Sequence, residues 1–470
     1  MARVRPLDST ETLTRTRVPR IVAFTCNWCS YSGADMAGTA RLGYAPNVRV
    51  VRMLCSGRLD PVFVLKAFEE GADGVLVSGC HPGDCHYVQG NLYARRRLQV
   101  FADLMDFLGL DSRRLHFAWV SASEGVKWSR VINQVTEAVI EAGPVREWPS
   151  PAFSTRVAPD LEQAAEAPRP QPSPEEYGLV TGRLRELASQ LLSSGEVHRV
   201  IGYSASPGDS ASTPVFIEQP EESPSLIWNE RCSANLATYL AGPTKRAGGG
   251  RTAILAKACD ARSIAGLLRE NQLKREDVVI IGVTCSGIWS KGRMAAKCYS
   301  CSEEATQLAD WTVSADATIQ GQLPLQDREI APDPREAEIQ ALSALPADER
   351  LSFWRAEFDR CIRCYACRSA CPLCYCETCI TDKTRPQWIP VSQDGPGNFA
   401  WNVTRAMHLA GRCADCDECA RACPSDIRLD LINRSIALGI EHKLGMQVSS
   451  DPAAQAALTT YRPDDPDGFR

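Results

Sequence analysis

The sequence predicts an α/β protein of three modules: a parallel-sheet N-terminal module, a second α/β module and a C-terminal, mainly helical domain. Three observations support this prediction. Strand-like and helix-like segments alternate along the first part of the chain. Two proline-interrupted stretches break the hydrophobic pattern. The 21 cysteines fall into groups that are separated by long cysteine-free stretches. With 470 residues, the chain is long enough for about three domains.

Composition excludes several classes of protein. The chain has 52 Lys and Arg against 57 Asp and Glu, so nothing in its net charge of -5 suggests a nucleic-acid or anionic-membrane partner. No stretch approaches the ~18 consecutive apolar residues of a membrane span. The segment from Met1 to Arg20 lacks the apolar core of a secretory signal. The many cysteines therefore indicate metal or redox use in a reducing compartment, and we expect a cytoplasmic protein.

The first module, predicted over 20–145, alternates buried strands with amphipathic helices. The strand-like segments are Arg20–Thr25, Val48–Met53, Gly74–Ser78 and Leu115–Val120. The helix-like segments are Asp60–Glu70, Asn91–Leu108 and Glu124–Ala142. This alternation is typical of a parallel sheet that is covered by helices.

Five cysteines follow the strands of this module. They are Cys26, Cys29, Cys55, Cys80 and Cys85. Because the carboxyl ends of parallel strands meet at one edge, where ligands bind in open α/β sheets, we expect a metal site there. Gly57, Gly79 and Gly83 would let the backbone approach it closely. The alternative is five ordinary core cysteines, although core thiols rarely collect at loop tips.

A Pro-rich linker is predicted over 146–175, and a second module over 176–322. Its strand-like segments Thr252–Lys257 and Asp277–Thr284 lead to Cys259 and Cys285, and Asp260 can cap a helix that runs to Asn271. A C-x2-C pair follows. We therefore expect a metal site in this module as well, made by Cys259, Cys285, Cys298 and Cys301. The alternative is that some of these are ordinary thiols.

After a second predicted linker, 323–349, the domain over 350–445 contains two cysteine runs of the form C-x2-C-x2-C-x3-C-P. This run holds 4Fe-4S clusters in bacterial ferredoxins, where the fourth cysteine ligates the other cluster. One predicted ligand set is Cys361, Cys364, Cys367 and Cys423. The other is Cys413, Cys416, Cys419 and Cys371. Zinc knuckles or disulfides are the alternative, but zinc sites usually pair two C-x2-4-C units across a longer gap.

The surroundings of the runs suggest a mainly helical, dicluster ferredoxin-like domain. We predict helices over Phe399–Gly411 and Leu429–Leu444. Four arginines near the runs could raise cluster potentials through their charge; they are Arg363, Arg368, Arg412 and Arg421. Four further cysteines are unassigned. They could ligate a further cluster, form a zinc site or remain reduced thiols. They are Cys232, Cys374, Cys376 and Cys379.

Residues 20–143 resemble the delta subunit of methyl-viologen-reducing hydrogenase. The segments that carry the resemblance are Phe24–Asp35, Arg52–Arg58, Gly79–Tyr87, Asn91–Arg96 and Glu124–Ser129. The resemblance implies one 2Fe-2S cluster, held by four of the five cysteines. It also implies electron transfer to the flavoprotein subunit of a heterodisulfide-reductase-type complex.

Residues 225–315 resemble the beta subunits of deazaflavin-dependent hydrogenases and formate dehydrogenases. The resemblance rests on Trp228–Leu240, Ala256–Arg262 and Ile280–Gly287, and it implies an iron–sulfur cluster beside a flavin, for which we expect FAD. Lys257, Asp260 and Arg262 lie where a helix N-terminus could meet the anionic part of that flavin. However, no G-x-G-x-x-G follows a strand, and these residues could instead form a solvated face.

These patterns predict an iron–sulfur electron-transfer subunit of a cytoplasmic multi-subunit oxidoreductase. It would relay electrons between a hydrogenase, formate dehydrogenase or nicotinamide or deazaflavin dehydrogenase and a heterodisulfide-reductase-like flavoprotein. We find no acid–base pair in the sequence and therefore predict no catalytic residue. One alternative is a self-sufficient flavin-dependent iron–sulfur oxidoreductase that acts on a small two-electron donor. Another is a redox-sensing scaffold with structural clusters.

Overall fold

The computed structural model describes residues 18–143, 167–206, 212–242, 250–290, 293–302, 307–322 and 329–468. We call the described residues within 18–143 the first unit, those within 167–322 the middle unit and those within 329–468 the third unit. Most of the predicted linker 146–175 lies outside the described residues, as do 323–328 of the second linker and residues 1–17. The domain boundaries stay predictions.

The first unit is built on a four-stranded, fully parallel sheet. Its strands are β1 (Ile21–Cys26), β2 (Val48–Met53), β3 (Gly74–Gly79) and β4 (Leu115–Trp119). They lie in the order β2-β1-β3-β4. Ile21 of β1 is in register with Val48 on one side and Gly74 on the other. All six residues of β3 are buried, as its uninterrupted apolar run predicts. The position of each predicted strand is confirmed to within about one residue. The expectation that all four are mostly buried is wrong for β2, which lies at the edge of the sheet and is largely exposed.

Helices cover both faces of this sheet. They are α1 (Ser30–Thr39), α2 (Pro61–Glu69), α3 (Gly90–Phe107) and α4 (Gly125–Glu141). The sequence predicted the last three but not α1, because α1 packs through small residues and has no stripe of large apolar ones. A Cβ on Gly33 would lie 2.7 Å from the carbonyl oxygen of Ser121. Only a small residue allows this close approach.

The middle unit confirms the second α/β module and is larger than the sequence indicated. Six strands lie in the order β12-β11-β8-β7-β5-β6, with parallel inner pairs and an antiparallel pair at each edge. The strands are β5 (Arg199–Ala205), β6 (Ser212–Ile217), β7 (Thr252–Ala256), β8 (Val278–Val283), β11 (Trp311–Val313) and β12 (Thr318–Gln320). A small hairpin joins β9 (Trp289–Ser290) to β10 (Arg293–Met294). The helices are α5 (Pro174–Ser193) and α6 (Ala258–Arg269). Only β7, β8 and α6 were predicted.

The third unit is mainly helical, as predicted. Its helices are α7 (Pro334–Ala344), α8 (Ala347–Asp359), α9 (Ala366–Ser369), α10 (Gly395–Leu409), α11 (Glu418–Arg421) and α12 (Leu429–Leu444). The prediction for α12 is confirmed at both ends. Helix α10 begins four residues earlier than predicted, because the Asp394 carboxylate accepts the Gly397 N–H at 2.6 Å and so caps the helix. Helix α7 falls within the predicted linker 323–349.

The third unit packs against both other units. It shares one hydrophobic core with α2 and α3, in which the Phe107 and Trp354 rings lie 5.4 Å apart. Leu373 and Leu409 of the third unit belong to the core of the middle unit. Within the described part of the chain, no helix combines the length and apolar character that a membrane crossing requires.

The C-terminal tail, 445–468, returns to the first unit and is held there by a buried ion pair. Both Asp465 oxygens accept from Arg96, at 2.6 and 2.7 Å. Arg96 also donates to the Ala457 carbonyl at 2.8 Å. The Trp119 indole N–H donates to Asp467 at 3.0 Å. The tail therefore links the end of the third unit to α3 and β4.

We predict that Arg96→Met releases the tail. Because keeping Asp465 buried without its main partner would cost about 3–5 kcal/mol, the tail should detach, and the free energy of unfolding should fall by no more than that amount. Hydrogen exchange of 446–468 should accelerate accordingly. As a control, Arg113→Met removes an exposed pair with Asp111 on the same unit and should change neither quantity. Unchanged exchange in Arg96→Met would show that other contacts hold the tail.

Candidate metal centres

The structure brings the five cysteines of the first unit together at the carboxyl edge of its sheet. We call Cys26, Cys29, Cys55, Cys80 and Cys85 the N-terminal thiol site. The Cys26 and Cys80 sulfurs are 3.4 Å apart, and Cys29 also contacts Cys80. Cys55 and Cys85 lie beside one another at Gly90. All except Cys29 are buried.

The charge state of this site suits a metal cofactor. Hydrogen bonding from Cys80 is the main cause that lowers the Cys26 pKa to about 6, and backbone N–H groups add to it. Burial is the main cause that raises the Cys55 pKa to about 11. The pKa of Cys80 is raised by its hydrogen bond with Cys26. Crowded buried thiols cannot all ionise on their own, and a bound cationic centre would remove this penalty.

The backbone around this site is shaped to leave room for the sulfurs. A Cβ on Gly90 would lie 2.4 Å from the Cys55 sulfur and 3.5 Å from the Cys85 sulfur. A Cβ on Gly57 would lie 2.5 Å from the Gly90 carbonyl oxygen. The Asn91 side chain donates to the carbonyls of Cys80, at 2.9 Å, and His81, at 2.8 Å. The sequence indicates the role of Gly57 but not that of Gly90, because the role of Gly90 depends on loops that are distant in sequence.

Exposed apolar side chains surround the N-terminal thiol site. We call Trp28, Leu54, Tyr87 and Val88 the apolar rim. Each is close in sequence to a cysteine of the site. Leu54 is 65% exposed and Val88 is 72% exposed, and Val88 adopts a left-handed φ of 67°. Trp28 stacks on His86 at 3.8 Å between ring centroids. An exposed apolar group of this kind is typical of a protein-docking surface.

The middle unit also brings its four predicted cysteines into one neighbourhood, which we call the middle thiol site. Cys259 follows β7, Cys285 follows β8, and Cys298 and Cys301 lie in the segment after the β9–β10 hairpin. Burial, then the charges of Cys298 and Cys259, raise the Cys285 pKa to about 12. The Ile288 N–H donates to the Cys298 sulfur at 3.4 Å.

The three residues predicted to meet a flavin have other partners. Lys257 and Asp260 form a buried ion pair of 2.8 Å. Lys257 also donates to the Ala234 carbonyl at 2.9 Å and to the Tyr203 hydroxyl, and Asp260 caps α6 by accepting the Lys257 N–H at 2.9 Å. Arg262 donates to the Ala414 carbonyl of the third unit at 3.2 Å. The pair fixes the turn between β7 and α6, and the flavin role stays a prediction.

The two cysteine runs of the third unit adopt the same loop conformation. The residues before and after the second cysteine of each run have left-handed φ angles of 50° to 60°; they are Arg363, Tyr365, Asp415 and Asp417. Non-glycine residues rarely adopt this conformation, and surrounding contacts must hold them there. Such loops point successive backbone N–H groups into a concavity that suits anions and iron–sulfur clusters.

Each run contributes three thiols to its own site and one to the other. One cavity is lined by Cys361, Cys364, Cys367 and Cys423, which we call the first run site. Another is lined by Cys371, Cys413, Cys416 and Cys419, which we call the second run site. These are the groupings expected from the spacing of the runs, and ligation of iron by them stays a prediction. The Asn433 amide donates to the Cys419 sulfur at 3.3 Å.

Buried arginines hold the run sites in place. Arg335 of α7 reaches Asp333, Asp415 and Asp417 at 2.6–2.8 Å, and so fixes both left-handed residues of the second loop. Arg405 of α10 donates to the Cys367 carbonyl at 2.9 Å. Neither arginine was predicted from the sequence. The sequence does contain one indication for Arg405, because it is a lone cationic residue within the apolar stretch of α10. The arginines noted earlier pair elsewhere, for example Arg412 with Glu270 and Arg421 with Glu418.

The unassigned cysteines do not form a fourfold site in the described part of the chain. Cys374 hydrogen-bonds to Cys371, beside the second run site. Cys232 accepts from the Asn229 N–H at 3.4 Å, within the middle unit, and Cys379 accepts from the Thr381 hydroxyl at 3.0 Å. No three His, Cys, Asp or Glu side chains of the described residues converge as ligands of a single metal ion would. The choice among a further cluster, a zinc site and reduced thiols stays open for these cysteines.

Comparison with known proteins identifies the first unit. Residues 21–143 match the family model "Methyl-viologen-reducing hydrogenase, delta subunit". A relative is the vhc iron-sulfur subunit of the F420-non-reducing hydrogenase of Methanococcus voltae, which is 50% identical over 126 residues that make up 27% of this chain and 88% of the relative. The chain belongs to the methyl-viologen-reducing hydrogenase delta subunit family.

Other relatives place this delta-subunit unit in different chains. The corresponding iron-sulfur subunit of the F420-non-reducing hydrogenase of Archaeoglobus profundus is 46% identical over 128 residues, 27% of this chain and 93% of the relative. One subunit of the ferredoxin/F420H2-dependent CoB-CoM heterodisulfide reductase of Methanosarcina acetivorans is 46% identical over 131 residues, 28% of this chain. The match spans only 16% of that second relative. The delta-subunit sequence therefore occurs alone and joined to other modules, and this chain is of the second kind.

We predict that Lys257→Met destabilises the middle unit, because it leaves Asp260 buried without its partner. The expected loss in the free energy of unfolding is about 3–5 kcal/mol. The double variant Lys257→Met/Asp260→Asn removes the unpaired charge while keeping an oxygen for the cap, and should recover most of the loss. Chemical denaturation of the cluster-free chain measures both variants. Equal losses in the single and double variants would contradict the ion-pair explanation.

Proposed function

We propose that this protein is an iron–sulfur electron-transfer subunit of a multi-subunit oxidoreductase. It relays electrons between a hydrogenase, formate dehydrogenase or nicotinamide or deazaflavin dehydrogenase and a heterodisulfide-reductase-like flavoprotein. The observation that carries this proposal is the grouping of cysteines from distant loops into four separate thiol sites. The relatives are subunits of hydrogenase and heterodisulfide reductase complexes, which supports partners of that kind.

We assign a cluster type to each site from the family resemblance and from the cysteine spacing. The N-terminal thiol site would hold a 2Fe-2S cluster, as the family resemblance implies. The two run sites would each hold a 4Fe-4S cluster, and the middle thiol site a third. When bound, such clusters accept and release single electrons. The protein's own groups exclude water, supply N–H donors to the sulfurs and place cations nearby.

The apolar rim supports a docking role for the N-terminal thiol site. Electron-transfer partners must bring their cofactor close to an accessible cluster, and Cys29 is the one partly exposed thiol of this site. Trp28, which precedes Cys29, and Val88, whose N–H donates to the Cys85 carbonyl, are both exposed. We therefore assign this face to the heterodisulfide-reductase-like flavoprotein.

The alternative function, a flavin-dependent oxidoreductase, is favoured by a groove between the middle and third units. Its volume is about 760 Å³, and its wall includes Arg262, Lys297, Cys301 and Cys413. Pockets of about 300–1,000 Å³ accommodate small molecules and cofactors. FAD in this groove would adjoin both the middle thiol site and the second run site.

The decisive measurement is the content of iron, acid-labile sulfide, zinc and flavin in protein purified without oxygen. One 2Fe-2S and three 4Fe-4S clusters predict about 14 iron and 14 sulfide per chain. One equivalent of flavin together with turnover of a small two-electron donor by the isolated chain would favour the alternative. About 8 iron, accompanied by zinc, would reject the clusters assigned outside the run sites.

Gly90→Ala tests the N-terminal thiol site within the same measurement. Its methyl group would displace the Cys55 sulfur, so we expect the loss of about 2 iron per chain. Gly38→Ala is a matched control, because a Cβ at Gly38 meets no atom within 4 Å. A full iron content in Gly90→Ala would contradict ligation at this site.

We also predict that Val88→Asn weakens binding to the partner flavoprotein about tenfold, because it replaces an apolar contact at the rim. Asparagine tolerates the left-handed backbone, so folding and iron content should not change. The measurement is the partner-concentration dependence of electron transfer to a heterodisulfide reductase flavoprotein. Ile140→Asn is the control, since Ile140 is exposed on α4 next to Val139, which packs at the opposite sheet edge. Equal effects of both variants would reject the assigned docking face.

A further inference from the structure

Lys297 lies between the middle thiol site and the second run site. It immediately precedes Cys298 and is only 9% exposed. Its ammonium donates to the Cys416 carbonyl of the third unit. Burial opposes its charge, but neighbouring groups raise the Lys297 pKa overall. These groups are Cys259, Cys298, Cys416 and Asp417. One cation therefore faces thiols of two different sites.

Arg405 occupies the equivalent place between the two run sites. It is buried in α10 and donates to the Cys367 carbonyl at 2.9 Å. The thiols whose charges raise the Arg405 pKa are Cys419, Cys374, Cys367 and Cys371. Its Nε–H is buried and has no hydrogen-bond partner among the described atoms. An N–H donor at this position can donate a hydrogen bond to the sulfur of a bound cluster.

These two cations differ from Lys257 and Arg335, two other buried cations among the described residues. Lys257 is neutralised by Asp260, and Arg335 by three aspartates. Asp417, whose charge helps to raise the Lys297 pKa, is itself paired with Arg335 at 2.7 Å. Arg405 has no ion pair with a carboxylate among the described contacts. Their positive charges are therefore available to groups at the thiol sites.

We propose that Lys297 and Arg405 are bridging cations that raise the reduction potentials of the clusters on either side of them. This inference rests on the proposed function. Adding an electron makes a cluster more negative, and a buried cation stabilises that form more strongly than an exposed one. Each cation lies between two sites, and the second run site is common to both pairs. A cluster in the second run site would therefore be affected by both positive charges. The order of neighbours is the middle thiol site, the second run site and then the first run site.

Potentiometric titration followed by electron paramagnetic resonance tests this inference on the complete, cluster-loaded chain. Lys297→Met should lower the potentials of the clusters in the middle thiol site and the second run site, and Arg405→Met those of the clusters in the two run sites. One signal should respond to both variants. We expect a tenfold change in each reduction equilibrium, about 59 mV for one electron. The 2Fe-2S signal should respond to neither variant.

Controls separate charge from packing. Lys297→Arg keeps the charge and should retain the wild-type potentials. Lys443→Met removes a cation that pairs with Asp103 at the surface, and should shift no signal. If Lys297→Met fails to bind its full iron, Lys297→Gln keeps a donor for the Cys416 carbonyl and removes only the charge.

The outcomes distinguish this inference from the proposed function. Full iron content with unchanged potentials in the Lys297 and Arg405 variants would overturn the bridging role and leave the relay intact. A wild-type chain that binds only about 8 iron would instead overturn the middle site, and with it the proposed relay. Shifts of all signals by every variant, including Lys443→Met, would also overturn the inference.

Discussion

The exchange of one cysteine between the two runs is the constraint on which the third unit depends. Neither run site is complete unless both loops lie side by side, because each receives its fourth thiol from the other run. Arg335 holds the second loop by ion pairs to Asp415 and Asp417. Helices α10 and α12 supply the apolar packing around both sites. A helical unit much larger than the loops themselves is therefore needed to keep two short loops in register.

The packing of the units extends this arrangement along the whole chain. The third unit shares its core with the first unit and inserts Leu373 and Leu409 into the core of the middle unit. The tail then returns to α3 through the buried Arg96–Asp465 pair. Electron transfer requires fixed distances between centres, and shared cores restrict relative motion more than polar interfaces do. The shape of the chain thus agrees with a relay.

Buried positive charges have two different roles in this protein. Lys257 and Arg335 are paired with carboxylates and fix the backbone next to thiol sites. Lys297 and Arg405 instead face thiols from neighbouring sites. Burying an unpaired cation is costly, so its retention requires a compensating anion. An iron–sulfur cluster with its thiolates supplies such a charge, whereas isolated protonated thiols do not.

The sequence alone determined the features that depend on local order. The positions of the strands in the first unit and of the helix Leu429–Leu444 follow from the hydrophobic pattern, and the thiol groups from cysteine spacing and strand ends. Only the tertiary structure decided the features that depend on distant contacts. Helix α1 packs through small residues without periodicity, and Gly90, Lys297 and Arg405 acquire their positions when separate loops meet. A pattern within one segment reports that segment's buried face, but it carries no information on which group of another segment will lie opposite.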